Sequence, residues 1–459
     1  MQLEKGDIMA VKSNNIDMIH GPLWGKILKF ALFYMLSAFL QQLYNAADVI
    51  VVGRFAGETA LAGVGTCGVV VNLFLNFVLG LAAGVIVVIG QSIGSGDKDE
   101  TVKTVHTSIA MAVCSGLLIA FVCLVFARQL LNLIDVPSDI MGEASTYLRI
   151  VAVGFVPTLV YNFGSSVLRA KGDNKRPLYI VSVSGVINVV LNLFFVCVLH
   201  MGAGGVAIAT VISQFFTAVA ILYILCREED ETRIYIGKIR FWKAPFMKIL
   251  RLGLPSGLQS SVYSISNMMI QSSINSFGSA AIAGAAATTS IAGFYDIMLS
   301  SLYQASVVFV SQNFGAKNMQ RIKKVVYVCC VYVFAVWVIQ IGMTFTIGKS
   351  LLGLYISDNP LALDMGWKSI RILGISYGVL GFLNIATGAL RGMGVSISCM
   401  ITSVVGVCGV RLLWLFTAFK AIGTFESLYF CYPISWAVTL ALHMIMLVFV
   451  FKNKSQKII

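Results

Sequence analysis

Residues 69–90 have the sequence VVVNLFLNFVLGLAAGVIVVIG, a run that contains no charged side chain. Because an α-helix rises about 1.5 Å per residue, a helix of this length is as long as the hydrocarbon core of a bilayer is thick, about 30 Å. A run of this length and composition therefore predicts a helix that crosses a membrane.

Similar runs occur along the whole chain. Of the 459 residues, 58% are hydrophobic and 12% are charged, whereas soluble domains are about 45–50% apolar and about 25% charged. We therefore predict an all-α integral membrane protein with about twelve transmembrane helices. The predicted helices lie near Ile27–Val52, Ala60–Gln91, Val102–Phe126, Tyr147–Leu168, Leu178–Leu199, Val206–Cys226, Phe246–Phe277, Ala283–Gln312, Val325–Ile347, Ser369–Leu390, Ile397–Phe419 and Leu428–Phe451.

The second half of the chain repeats the first at an offset of 221 or 222 positions. Gln91 corresponds to Gln312, Asn45 corresponds to Asn267, and the offset is nearly constant over four helices. Chance matches would scatter, so the pattern predicts two lobes, residues 25–226 and 246–451. Six helices per lobe make the two repeats parallel, related by a pseudo-twofold axis along the membrane normal.

Basic residues predict the orientation. Most of the 33 Lys and Arg residues belong to one side of the membrane, which holds the N-terminal segment 1–24, the linker 227–245 and the tail 452–459. The positive-inside rule predicts that this side is the cytoplasm, with both termini in it and the protein in the cell membrane. The net charge of +13 lies in short loops, not on one hydrated face, so nucleic acid is not an expected partner.

The sequence lacks the common motifs of enzymes. The nearest approach to a nucleotide-binding P-loop, Gly342 to Ser350, has five residues between its glycines where the motif needs four. HExxH is absent, and the four histidines are scattered. GxSxG occurs only within or at the end of predicted membrane helices, at 90–94 and 374–378, and not at the strand-to-helix elbow that the motif needs. We therefore expect no enzymatic activity and no cofactor, and energy would come from an ion gradient or from the solute's own gradient.

One acidic residue within a predicted span has polar neighbours. Asp48 lies in the outer part of helix 1, three residues after Asn45, and helix 5 carries Asn188 and Asn192 on one face at about the same depth. Their oxygens could coordinate Na⁺, and the apolar setting favours a protonated carboxyl, so the group could carry H⁺ instead. A structural hydrogen bond between helices is the alternative. Helix 2 adds Asn72 and Asn76.

Two further charged residues fall inside predicted spans. Asp296 lies near the middle of helix 8, where it is either functional or satisfied by Tyr295 and Tyr303. Arg411 lies within helix 11, where it could pair with an acid across the lobe or extend toward the interface. Neither residue has a motif around it.

Several short motifs resemble one known family. The sequence LYNAADVIVVG at residues 43–53 is similar to the first helix of the multidrug and toxic compound extrusion (MATE) family. The stretches ALAGVG at 60–65, GQSIGSGD at 90–97 and LRAKGD at 168–173 also resemble that family, and the resemblance extends from about Gly21 to Phe451.

The resemblance implies two six-helix lobes around a central cleft, and export of cationic or amphipathic compounds in exchange for Na⁺ or H⁺. It implies that Asp48 couples to the ion and that Asn188 matches an amide of helix 5 in the DinF-like members. Asn192 stands where some members have a second acid. Helix 7 offers Asn267 and Gln271 instead of the acid of the NorM-like branch, which favours the DinF-like branch.

The sequence therefore predicts a monomeric secondary exporter in the lipid bilayer. We expect ion coupling at Asp48, with Asn45, Asn188 and Asn192, and no other metal site. Asp296, with Asn267 and Gln271 as neighbours, is a candidate for a second polar site; the residues of the substrate cleft are not predicted. A flippase for lipid-linked or amphipathic precursors is the alternative on the same fold, and a passive channel or a membrane-embedded enzyme are weaker alternatives.

Overall fold

The computed structural model describes residues 15–138, 140–356 and 359–456. Every regular element among them is helical, as the predicted fold class requires. Of the segments predicted at the two ends of the chain, residues 1–14 and 457–459 lie outside the described residues.

Twelve long helices follow one another, six in each lobe. We label the six helices of the N-terminal lobe as α1 (Trp24–Val51), α2 (Glu58–Ser95), α3 (Lys98–Asn132), α4 (Met141–Val153 and Phe155–Ala170), α5 (Lys175–Leu193) and α6 (Gly202–Cys226). Those of the C-terminal lobe are α7 (Lys243–Asn275), α8 (Ser279–Gly315), α9 (Met319–Gly353), α10 (Pro360–Gly392), α11 (Ser396–Ile422) and α12 (Phe425–Asn453).

The predicted helices are all present, and most are longer than predicted. Ten are long and apolar enough to cross a bilayer, and the two segments of α4 together make another such span. The remaining helix, α7, is long enough at 33 residues but is rich in serine. The prediction was too short at several ends. Helix α10 begins at Pro360, not Ser369, because the side chain of Asn359 caps it by accepting a hydrogen bond from the amide of Ala362.

Helix α4 is bent by 45° between its two segments, at Gly154. Pro157 lies three residues later and has no amide hydrogen to bond the preceding turn. The missing hydrogen bond at Pro157 is consistent with a bend at this point. Turns of π-helix also interrupt regular geometry near the end of α1 (Val52–Ala56), at the end of α5 (Phe194–Val198) and twice within α11 (Val404–Gly409, Leu415–Phe419).

Each lobe has its own apolar core, and the lobes meet along α2 and α7. Cβ atoms added at Gly80 and Gly84 of α2 would lie 2.1 Å and 2.7 Å from backbone atoms of Gly257 and Gly253 on α7. Only glycine permits so close an approach of the two backbones. Four glycines thus hold the lobes together near the middle of the bundle.

A second contact joins the lobes at one end, which we call the terminal face: the end where α1 begins and α12 ends. Gln91 of α2 donates a hydrogen bond to the carbonyl of Gly392, 2.9 Å away, and Gln312 of α8 donates one to the carbonyl of Ala170, 2.6 Å away. Phe39 of α1 stacks on Phe294 of α8. Among the described residues, the other hydrogen bonds and ring contacts between helices of the two lobes lie between this pair and the terminal face. The lobes therefore separate toward the opposite face.

The chain before α1 also joins the two lobes at the terminal face. The amide of Ile16 donates a hydrogen bond to the carbonyl of Gly172, beside the end of α4. The side chains of Asn313 and Arg321 in the C-terminal lobe both donate hydrogen bonds to the carbonyl of Met18, and each donor–acceptor distance is 3.1 Å. The Met18 side chain is buried. Residues 16–21 therefore connect the lobes on the closed side of the cleft.

Candidate functional site

The contact between α1 and α5 positions the predicted acidic site. Tyr44 of α1 lies against Gly185 of α5, where an added Cβ would be 1.8 Å from the tyrosine ring. The Tyr44 hydroxyl donates a hydrogen bond to the carbonyl of Ser182, 3.1 Å away. This close packing brings Asp48, one turn beyond Tyr44, next to the outer part of α5.

Asp48 contacts the two asparagines predicted to surround it. The side-chain amide of Asn192 donates hydrogen bonds to the carboxylate of Asp48 and, over 3.3 Å, to the side-chain oxygen of Asn188. Asn188 and Asn192 are both buried, and Asp48 is partly buried. The structure therefore brings together three of the four residues proposed from the sequence for ion coupling.

A cavity of about 180 Å³ extends from this cluster into the N-terminal lobe. Two of its lining atoms, the hydroxyl of Thr158 and the side-chain oxygen of Gln214, are buried and have no hydrogen-bond partner among the described residues, and the same holds for the side-chain oxygen of Asn192 nearby. Asn45 lines the cavity but makes no hydrogen bond to Asp48 among the described residues. The lining residues are Gln41, Tyr44, Asn45, Asp48, Thr158, Tyr161, Asn162, Val181, Ser184, Gly185, Asn188, Thr210, Ser213, Gln214 and Thr217.

The chemistry of this cavity suits a small hard cation or a proton. Carboxylate, amide and hydroxyl oxygens are the ligands that such cations prefer, and buried oxygens without partners can accept bonds from a cation or a water molecule. Asp48 can also exchange a proton with water in the cavity. Asn72 and Asn76 of α2 are not among the residues that line it.

The C-terminal lobe has a different arrangement of its candidate residues. Asn267 of α7 accepts a hydrogen bond from Arg411 of α11 over 2.9 Å, while Gln271 donates to Asn275, 3.0 Å away. Asp296 of α8 is exposed and is hydrogen-bonded through its side chain to neither Asn267 nor Gln271 in the described part of the chain. The structure therefore does not join these three residues into one site.

Other polar residues were not predicted from the sequence, or were predicted with other partners. Thr158 and Gln214 line the cavity but have no acidic residue near them on their helices, so the sequence contains no signal for them. Gln41 also lines the cavity and lies seven residues before Asp48 on α1. Arg411 was expected to pair with an acid or to extend toward the interface. It is instead buried against neutral groups, because Asn267, not an acid, faces it across the α7–α11 contact.

The comparisons with known proteins agree with this architecture. The MatE family profile matches residues 34–194 and, again, residues 255–417, one match in each lobe. "Probable multidrug resistance protein YoeA" of Bacillus subtilis is 25% identical over 443 residues, 94% of this chain and 95% of that protein. "Probable multidrug resistance protein YpnP" of the same organism is 27% identical over 399 residues, 86% of this chain and 88% of that protein.

A solved structure described as "Outward-facing conformation of a multidrug resistance MATE family transporter of the MOP superfamily" has the same fold. Its TM-score is 0.88 with 20% sequence identity, over 96% of this chain and 99% of that one. The two profile matches together cover well over half of the chain. With its two six-helix lobes and its polar cavity in the membrane, the chain belongs to the MATE family of membrane transporters.

Proposed function

We propose that the protein is a secondary active exporter of the cell membrane, which moves cationic or amphipathic compounds outward in exchange for H⁺ or Na⁺. The cluster of Asp48, Asn188 and Asn192 carries this proposal. An acidic residue within a membrane span is costly, and here its only described hydrogen-bond donor is an asparagine. Such a group suits reversible binding of a cation.

The names of the relatives support the export of drugs. YoeA and YpnP are both named as probable multidrug resistance proteins. The excess of Lys and Arg in the segments next to the terminal face supports its assignment to the cytoplasm. On this assignment the lobes are closed toward the cytoplasm and open toward the outside, so Asp48 would be reached by ions from outside.

The two lobes would then alternate between outward-open and inward-open states. An ion from outside binds at the Asp48 cluster, and the contacts at the terminal face open. Substrate enters from the cytoplasm and leaves on the outside once those contacts form again. The exporter would act as a monomer without an organic cofactor.

Efflux from proteoliposomes tests the proposal. Vesicles loaded with ethidium receive an imposed H⁺ or Na⁺ gradient, and the wild type is compared with Asp48→Asn and with Asn76→Ala, an amide outside the cavity. We expect one gradient to drive efflux, and Asp48→Asn alone to lose it. If Asp48→Asn exports at the normal rate, the coupling site is assigned wrongly. If folded wild-type protein exports nothing under either gradient, the flippase alternative replaces the drug exporter.

A further inference from the structure

The two lobes carry opposite charges at equivalent contacts. In the N-terminal lobe, the contact between α1 and α5 holds Asp48 and its partner Asn192. In the C-terminal lobe, the repeat-related contact between α7 and α11 holds Asn267 and Arg411. Asn267 corresponds to Asn45 in the repeat, three residues from Asp48. The equivalent place is therefore acidic in one lobe and basic in the other.

Arg411 is surrounded by neutral groups. Its side chain is only 4% exposed, and its Nη1 atom donates a hydrogen bond to the side-chain oxygen of Asn267, 2.9 Å away. Its Nε atom donates to the hydroxyl of Ser435 over 3.3 Å, and its guanidinium lies 4.4 Å from the ring centre of Tyr432. No Asp or Glu of the described residues forms an ion pair with it.

The positive charge of Arg411 is compensated only in part by its neighbours. Arginine does not lose its proton in proteins, so its charge stays in the lobe whether or not an acid is present. Burying an unpaired charge is unfavourable, and hydrogen bonds to an amide and a hydroxyl compensate it only in part. The Nη2 atom donates to no acceptor in the described part of the chain, although the guanidinium fork suits two oxygens of one acidic group.

The same lobe has a second arginine of this kind. Arg391 donates to the hydroxyl of Tyr303, 2.6 Å away, and to the side-chain oxygen of Gln259, 2.8 Å away. Its Nε atom is buried and has no hydrogen-bond partner in the described part of the chain. Asp296 forms no ion pair with either arginine among the described residues. The C-terminal lobe therefore holds two guanidinium groups that form no ion pair with an acid of the described residues.

The guanidinium of Arg411 is next to exposed polar surface. Asn267, which holds it, lies on the exposed side of α7, and Gln271 is exposed one turn further toward the opposite face. Along α7, Asn267 is ten residues beyond Gly257, the contact with α2. That spacing is about 15 Å along the helix axis, on the side where the lobes have separated. An acidic group in the open cleft can therefore approach Arg411 past Asn267.

We propose that Arg411 binds the acidic group of an amphipathic substrate at the C-terminal lobe's wall of the cleft. Asn267 is a positioning residue that holds the guanidinium toward the cleft. The acidic group is a carboxylate, sulfonate or phosphate, either of a soluble amphiphile or of a lipid headgroup. This substrate class extends, and rests on, the export function proposed above, because it adds compounds with a net negative charge to cationic ones.

Binding of carboxyfluorescein, a soluble aromatic anion, tests the site without depending on transport. Thermal stability of the purified protein is measured against dye concentration, since a ligand of the folded state stabilises it. We expect wild type to bind the dye and Arg411→Gln to bind it about 10- to 100-fold more weakly, as for loss of a hydrogen-bonded charge. Arg371→Gln, which removes an exposed arginine of α10, is the control and should bind normally.

Two further measurements keep the test decisive. Asn267→Asp gives Arg411 an acid within the fold, so it should fold at least as well as wild type and lose dye binding. Unchanged dye affinity in Asn267→Asp or in folded Arg411→Gln overturns the proposal, as does absence of dye binding by wild type. Competition by vesicles of phosphatidylglycerol, but not of phosphatidylcholine, would identify a lipid headgroup as the source of the acidic group.

Efflux of ethidium in the same preparations separates this proposal from the export function. If ethidium is exported and Arg411→Gln does not alter dye binding, the anion site is wrong and the exporter stands. If dye binding depends on Arg411 but ethidium is not exported by wild type, the site stands and the export function is wrong. The thermal midpoint of Arg411→Gln without dye, compared with those of wild type and Arg371→Gln, shows whether the fold of this variant is intact.

Discussion

Gln91 and Gln312 occupy equivalent positions in the two lobes, and each donates a hydrogen bond to the backbone of the other lobe. Their acceptors, the carbonyls of Gly392 and Ala170, are also equivalent, since each ends the fourth helix of its lobe. The pseudo-twofold axis therefore relates the two hydrogen bonds to each other and passes between them. Because the two hydrogen bonds are related by this axis, a rotation of one lobe against the other breaks both of them together.

The two glutamine bonds should bias the protein toward the state closed at the terminal face. A hydrogen bond contributes about 1 kcal/mol net, so Gln91→Ala together with Gln312→Ala should shift the equilibrium toward the inward-open state by a factor of about 5–30. Spin labels at Leu43→Cys and Met268→Cys, in a background without native cysteines, would measure the separation of the lobes at the opposite face. Unchanged label distances in the double variant would contradict this role.

Close glycine contacts support the same closure. An added Cβ would lie 1.9 Å from the carbonyl oxygen of Gln312 at Gly94, and 2.0 Å from that of Gln91 at Gly315. Gly94→Ala should therefore prevent closure at the terminal face and reduce efflux at least tenfold, because backbone atoms cannot yield. Gly68→Ala, on the same helix with no atom near the added Cβ, is the control. Normal efflux by Gly94→Ala would contradict the importance of the contact.

The sequence predicts most of this fold because lipid imposes length and composition on each helix. All twelve helices follow from apolar runs and the internal repeat. Their ends do not, since a helix can extend beyond the predicted apolar run, as α10 does over Pro360–Lys368 from the cap at Asn359. The glycine contact between Gly80 and Gly257 is also invisible in one sequence, because it depends on how two helices cross.

The candidate site was predicted in part for a similar reason. Asp48, Asn188 and Asn192 stand out as polar groups in apolar runs, and their depth along the helices predicts that they lie close together, as their hydrogen bonds in the structure place them. The unpartnered oxygens of Thr158 and Gln214 did not stand out, because threonine and glutamine are ordinary in such helices. The pairing of Arg411 with Asn267 depends on side-chain direction across α7 and α11, which spacing alone does not give.

Asn192 should matter for ion affinity more than for folding. It gives Asp48 its only described side-chain hydrogen bond, and a bond to a charged group is worth about 1.5–3 kcal/mol. We expect Asn192→Ala to change the ion concentration for half-maximal efflux at least tenfold while thermal stability stays near that of wild type. Asn76→Ala, an amide that does not line the cavity, should change neither. An unaltered ion dependence in Asn192→Ala would remove this residue from the site.

A buried ion network beside the terminal face should contribute strongly to stability. Glu228 of the linker after α6 forms ion pairs with both Lys171 and Arg176, and its side chain is 5% exposed. Removing one partner of a buried pair costs about 3–5 kcal/mol, since the remaining charges lose compensation. Glu228→Gln should therefore lower the thermal midpoint clearly. Asp99→Asn, which breaks an exposed pair with Lys103, should lower it by little; equal effects of the two would contradict the network's role.

Asp230 makes the stability of the same network depend on pH. Partial burial of this carboxyl acts to raise its pKa, but hydrogen bonds from Lys171 and Thr232 outweigh burial, so the pKa is lowered in the folded protein. A lowered pKa contributes stability that is complete above the ordinary value of about 3.9 and is lost as pH falls through the folded value. The difference in thermal midpoint between wild type and Asp230→Asn should thus be largest near neutral pH and shrink as pH falls below about 4. Comparison with Asp99→Asn separates this effect from general acid unfolding, and a difference that grows on acidification would show that the assigned direction is wrong.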